Sequence, residues 1–243
     1  MIPAMKRVIL LSALCVWCAV SCGRAEDPYY FDGPVSQTVL ERYLSRAVTM
    51  SEFLTVDPYC NDGTYPDKAA DVAFIRNTGA KFIGRAIYRW GDEKVLTEPG
   101  FWAGAEALID EVHAFDSDVI FQAATFEAVY REVGEVPVPA WAFEALGLPA
   151  EERNFDYAQM LAPDGKYVDL WAPGASVPDI TRVETQLWLM YLIGSYVDIG
   201  VEAVHLGQVY LMGMNDRDWQ AWDSFLKKVR AWVYPRARRH FVL

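Results

Sequence analysis

Two rhythms of apolar residues alternate along the chain. Short runs rich in Val, Ile and Phe turn polar at their C-terminal ends, and between them lie segments with apolar residues every three or four positions. The clearest runs are Asp118–Glu127, DVIFQAATFE, and Val201–Tyr210, VEAVHLGQVY. Runs of this kind read as strands of a parallel sheet buried on both faces, and the segments of helical period read as crossovers. The pattern predicts strands at Arg46–Ser51, Lys81–Ile87, Asp118–Ala124 and Val201–Gln208, with Ala237–Leu243 beginning a fifth. The first predicted helix starts near Pro66, buries Ala69, Val72, Ala73 and Ile75, and ends at Gly79 as a left-handed cap. Phe101–Ala114 is the second. A Thr181-x-x-Glu184 capping box opens another, running to about Ile199 with Val183, Leu187, Met190, Tyr191 and Gly194 inward. Asn215 or Asp216 caps the last, which buries Trp222, Phe225, Leu226, Val229 and Trp232.

Residues 128–179 interrupt this alternation and are too long for an ordinary connection. A short helix at Ala140–Leu146 and a hairpin around Pro163-Asp164-Gly165 are predicted there. Trp141, Phe143, Phe155, Tyr157, Tyr167 and Trp171 are scattered through the segment. A long insertion on the C-terminal side of a strand serves as an active-site wall, with Trp141 or Trp171 facing the cleft, or packs as a small subdomain; the two are compatible.

Alternating strands and helices leave a barrel or a doubly wound open sheet. No Gly-x-Gly-x-x-Gly or Walker-type loop follows any strand, which weakens the nucleotide-binding open sheet. Arg85, Gln122 and His205 lie inside predicted strands, where a barrel lumen suits them better than a sheet covered on both faces. The prediction is therefore an α/β fold, a (β/α)8 TIM-type barrel that is incomplete. The chain holds about its first half, with the insertion after the third strand. A complete barrel takes roughly 250 residues, and here 243 are spent on four strands and an insertion. The expectation is a fragment whose open edge aggregates or dimerises, the alternative being a half-barrel that pairs with itself.

Composition adds a destination. Lys6 and Arg7 precede an apolar run from Val8 to Val20, the plan of a secretory signal covering residues 1–25, which leaves 26–243 as the folded part. Ala19-Val20-Ser21-Cys22 approximates a lipobox, which would leave Cys22 acylated and the protein attached to a membrane. Gly23-Arg24-Ala25 instead suits cleavage to a free secreted form. Cys15 and Cys18 leave with the signal, so Cys60 is the one cysteine within the folded part and no disulfide is expected there. With 33 acidic residues against 22 basic ones and a net charge of −11, nucleic acid is not the expected partner. Nine Trp and thirteen Tyr supply more aromatic surface than a core needs, and sugar rings stack on such faces.

Parallel strands gather functional groups where they end. That rule selects Glu52, Glu127, Gln122, His205 and Gln208. Glycoside hydrolysis needs two carboxyl groups flanking the bond, and Glu127, flanked by Phe126 and Val129, with Glu52 past strand one, are the candidate pair. Glu127 also reads as a solvated loop acid or a helix N-terminal charge, and that reading is stronger still for Glu52. Gln122 and Gln208 suit hydroxyl groups, and Trp90, Trp171 and Tyr210 suit ring faces. Arg85 would bind an acidic sugar or pair with Glu52 or Glu127. His205 is an acid or base, or else a core residue. No cluster has metal-ligand spacing, and no cofactor is expected.

The blocks IFQAATFE, VPVPAWAFEALGLP, APGASVPD and VEAVHLGQVYLMG resemble the N-terminal half of secreted bacterial glycoside-hydrolase-like barrel proteins. The resemblance implies an exported hydrolase of poly- or oligosaccharides, with carboxylates at the ends of strands four and seven. Strand four ends here in Gln208, so a non-catalytic glycan-binding surface lipoprotein on a degenerate barrel is the alternative.

Overall fold

A computed structural model describes residues 27–56 and 67–243. The signal segment with Cys22 lies outside the described residues, as do Pro66, Cys60 and the loop positions Asp57, Tyr59 and Asp62.

The fold is mixed α/β around a four-stranded parallel sheet. Helix α1 (Gln37–Leu44) leads into β1 (Ala47–Thr49), α2 (Lys68–Thr78), β2 (Phe82–Ile87), α3 (Pro99–His113) and β3 (Ile120–Thr125). The insertion holds β4 (Val129–Tyr130), α4 (Ala140–Leu146), α5 (Tyr157–Met160) and β5 (Ala175–Ser176). Then come α6 (Val183–Asp198), β6 (Ala203–Leu206), α7 (Val209–Met212) and α8 (Gln220–Val233). The order across the sheet is β1-β2-β3-β6, every neighbour parallel.

The two faces of the sheet have different partners. Val48, Ile83, Phe121 and Ala123 face the main core with the helices. Phe82, Ile120 and Ala203 point the other way and are covered by Phe31 and Tyr43 from the segment around α1. The residues of that second cluster lie at the N-terminal ends of their strands. Ion pairs tie down the same end: Lys81 meets Asp116 at 2.7 Å, and Arg238 meets the buried Glu202 at 2.7 Å. Arg239 donates to the Tyr43 hydroxyl at 2.9 Å and accepts the Gly33 amide at 2.8 Å.

Several expectations are corrected. The strands are shorter than their apolar runs, because the run ends curl into turns. Helix α1, capped by the Ser36 hydroxyl, was not anticipated. Ala69, Ala73 and Val183 are exposed, while Val72 and Ile75 make the α2 contact and Gly79 is its left-handed cap. No capping box opens α6: Asp179 takes both the amide and the hydroxyl of Thr181, and Glu184 is taken by Arg153 at 2.7 Å. Asp216 accepts the amides of Ala221 and Trp222 at the start of α8, whereas Asn215 donates to Asp179. The segment around Gly165 is a turn without a hairpin; the antiparallel pair is β4 with β5. Residues 237–240 fold back as a turn, since Arg238 and Arg239 are drawn to Glu202, and only Leu243 joins the edge of β6, bonding Glu202 and Val204 at 3.0 and 2.9 Å.

The insertion is both subdomain and rim. Helix α4 packs on α6 and α8, and Phe143 and Phe155 enter the main core. Trp141 does not reach the cleft; its ring stacks on Trp232, centroids 5.8 Å apart. Trp171 does reach the ends of the strands.

Candidate functional site

The site is built on the C-terminal ends of β2, β3 and β6. Strand β2 carries an irregularity there. Ile83 pairs with Phe121 but Ile87 with Ala123, so four residues of β2 advance against two of β3. The extra length is absorbed at Arg85, whose φ of +54° lies in the left-handed region. Such a conformation costs a non-glycine residue about 1–2 kcal/mol. The neighbours impose it: the Arg85 amide donates to Gln122 Oε1 at 3.2 Å, and the Arg85 carbonyl accepts the Glu52 amide at 3.2 Å. Glu52 and Gln208 also have positive φ, +59° and +21°. Strain of this kind collects at working sites and persists only where the surroundings enforce it.

Phe126, the first residue past β3, is the hub. Its ring lies 4.6 Å from Trp90, 5.1 Å from Tyr88 and 6.2 Å from His205, centroid to centroid. The Arg85 guanidinium sits 4.9 Å from the same ring and 6.0 Å from that of Tyr88. The next residue, Glu127, is only 7% exposed. Its Oε1 accepts the Gln208 side-chain amide, and its backbone carbonyl accepts the Trp171 indole N–H at 3.2 Å. Gly207 makes the approach feasible, because a Cβ there would come within 2.5 Å of Glu127 Oε2 and 3.1 Å of the Phe126 Cα.

No family model matches the chain, and no curated protein matches it.

The structure thus brings Glu127, Gln208, Trp171, Trp90, Arg85 and His205 into one linked group, with Gln122 joined through the Arg85 backbone. His205 is exposed on β6 and is not a core residue. Glu52 lies buried in the turn after β1 and is joined to the group through the Arg85 carbonyl. Tyr210 stands apart, 76% exposed, while Trp90 and Trp171 are 41% and 43% exposed. Arg85 pairs with neither Glu52 nor Glu127. Among the described residues it has no ion pair, and its Nε is buried without a hydrogen-bond partner.

Two residues escaped the sequence reading. Phe126 read only as the apolar flank of Glu127, although the first position past a parallel strand is where hub residues sit. Glu93, in the loop after β2, is fully buried. It accepts the Gly91 amide at 2.9 Å, and burial pushes its carboxyl up to about 7, against the opposing pull of that amide. A cleft of about 450 Å³ at the start of α6, lined by Arg153, Asp156, Gln159 and Thr181 among others, contains none of the predicted residues. Among the described residues, no group of three or more His, Cys, Asp or Glu could hold a metal ion, and no helix is long and apolar enough to cross a membrane.

Proposed function

We propose that this is an exported carbohydrate-active protein, a glycoside hydrolase acting on a poly- or oligosaccharide at the ends of the parallel strands. The observation that carries the reading is Glu127: a buried carboxyl held by Gln208, on a residue whose backbone carbonyl accepts the indole N–H of the half-exposed Trp171, in the same linked group as the half-exposed Trp90. Sugar rings have apolar faces that lie on such aromatic surfaces, and hydrolysis needs a carboxyl placed against the glycosidic oxygen. Glu127 is assigned as the acid/base residue and Glu52, two strands away, as the second carboxyl. Gln208 orients the Glu127 carboxyl, and His205 and Gln122 are available to hydroxyl groups. The barrel interpretation belongs here too. Four parallel strands in sequential order, with one face plugged at the N-terminal end by Phe31 and Tyr43, suit the first half of a (β/α)8 barrel. Export rests on the segment from Lys6 to Val20, with attachment through Cys22 or release after Ala25.

A second reading, a non-catalytic glycan-binding surface protein, is favoured by one residue. Gln208 stands at the end of the fourth parallel strand, where the resemblance implies a carboxylate.

The mature chain and its Glu127→Gln variant, assayed with a panel of oligosaccharides, separate these readings. Release of new reducing ends by the wild type, falling about 10²–10⁴-fold in the variant while tryptophan quenching by the sugar persists, is the expected result. Quenching without release in the wild type selects the second reading. Neither release nor quenching with any glycan overturns both.

A further inference from the structure

We propose that Arg85 is the ligand for a carboxylate on the bound glycan, so that the site takes sugars carrying isolated uronic acid residues. The inference rests on the glycan reading above and names its substrate class. A structural arginine inside a sheet ordinarily satisfies its guanidinium with carboxylates or carbonyls. Arg85 does not: among the described residues no carboxylate lies within ion-pair distance, and Nε is sealed from solvent without an acceptor. Its backbone, by contrast, is pinned from both sides, by Gln122 and by the Glu52 amide. The cation is therefore held in position with no carboxylate of the described residues at ion-pair distance.

The surroundings indicate what completes it. The guanidinium carbon lies 4.9 Å from the Phe126 ring and 6.0 Å from that of Tyr88, so aromatic surface supports the group without using its N–H donors. Those donors match a planar carboxylate, which can accept two parallel bonds. A sulfate ester offers the same charge without the planarity. Trp90, tilted 35° against Phe126 with ring centroids 4.6 Å apart, offers half-exposed aromatic surface in the same group for the ring that bears the anion. The net charge narrows the class further. At −11 the molecule repels a polyanion as a whole, so local recognition suits a single acid within an otherwise neutral chain.

Calorimetric titration of the full mature protein tests this. The probes are oligosaccharides each carrying one glucuronate or galacturonate, their uncharged methyl esters, singly sulfated counterparts, and the unsubstituted neutral chains. The wild type should bind an acid at least tenfold more tightly than its ester, with the sulfated form between them. Arg85→Met should abolish that preference while retaining affinity for neutral chains, and Arg85→Lys should restore part of it. The acid-against-ester comparison needs no variant, so a variant that fails to fold leaves a decisive result. Equal binding of acid and ester, a preference for the sulfated form, or discrimination that survives Arg85→Met overturns the assignment while the glycan reading stands. If neutral, acidic and sulfated chains all fail to bind, both fall together.

Discussion

Glu93 is a carboxylic acid sealed beneath the loop that carries Trp90, with Oε1 on the Gly91 amide and Oε2 without a hydrogen-bond partner. Burial, and secondarily the nearby charge of Glu132, raises its folded-state value to about 7 from an ordinary 4.5. The folded protein therefore holds this proton more tightly than the unfolded chain. The stabilisation this group contributes, at most about 3 kcal/mol, is fully present below about pH 4.5 and is lost as pH rises through about 7. Glu93→Gln keeps the acceptor for Gly91 and removes the charge. Urea melts at pH 5 and pH 8 should show the variant more stable than wild type at pH 8 and the pH-dependent difference largely gone. Parallel pH slopes for the two proteins would contradict this origin. Nothing local announced the burial, because Gly91-Asp92-Glu93 reads as a polar turn. The segment Arg131–Glu135, from the insertion, packs against Glu93–Thr97. Glu127 was legible for the opposite reason: its place follows from the end of a strand, which the apolar run marks. Its partners were half legible, since Gln208 ends another such run but the direction of Trp171 depends on the insertion's fold.

Between elements, the clamp that joins the insertion to α6 is the Arg153–Glu184 pair, bidentate at 2.7 and 2.8 Å, with Glu184 also accepting the Asp156 amide at 2.8 Å. Glu184 is 6% exposed and Arg153 32%, so removing the acid strands the Asp156 amide and leaves Arg153 with Glu151, which it meets at 2.7 Å, and with water. Glu184→Ala should cost roughly 2–4 kcal/mol, below the range for a wholly buried pair because the arginine retains some water. Chemical denaturation measures it; a loss under 1 kcal/mol would show that the clamp contributes little. This contact also explains why the capping box at Thr181 and Glu184 misled. The motif describes a helix end in isolation, and here Asp179 and Arg153 compete successfully for both of its side chains. Strand and crossover identity survived such competition, because each is written over many residues by period. The irregularity at Arg85 was not readable, as it depends on Gln122 filling a ladder position from the next strand.

For the molecule as a whole, α6 is the element on which packing converges. Twelve of its sixteen residues are buried, between the sheet, α4, α5 and α8. Its central amides, from Leu189 to Ile193, should exchange hydrogen only through global unfolding, as should those of β3, while the exposed stretch Val168–Trp171 exchanges by local opening. Native-state hydrogen exchange decides it, and α6 amides opening well below the global free energy would refute the central role. The parallel order of the sheet was legible from alternation alone. The plugging of one face was not, because Tyr43 and Arg239 are brought together from opposite ends of the described chain. That closure carries a temporal consequence. The Tyr43 hydroxyl donates locally to the Tyr29 carbonyl, but it accepts from an arginine 196 positions away, and the Gly33 amide waits for the carbonyl of that same arginine. The entropy of closing so long a loop favours a late place for the contact in folding. A chain emerging from the ribosome can assemble its strands in sequence and lay its first helix on them, yet the arginine that ties that helix to the far end of the fold is made nearly two hundred residues later.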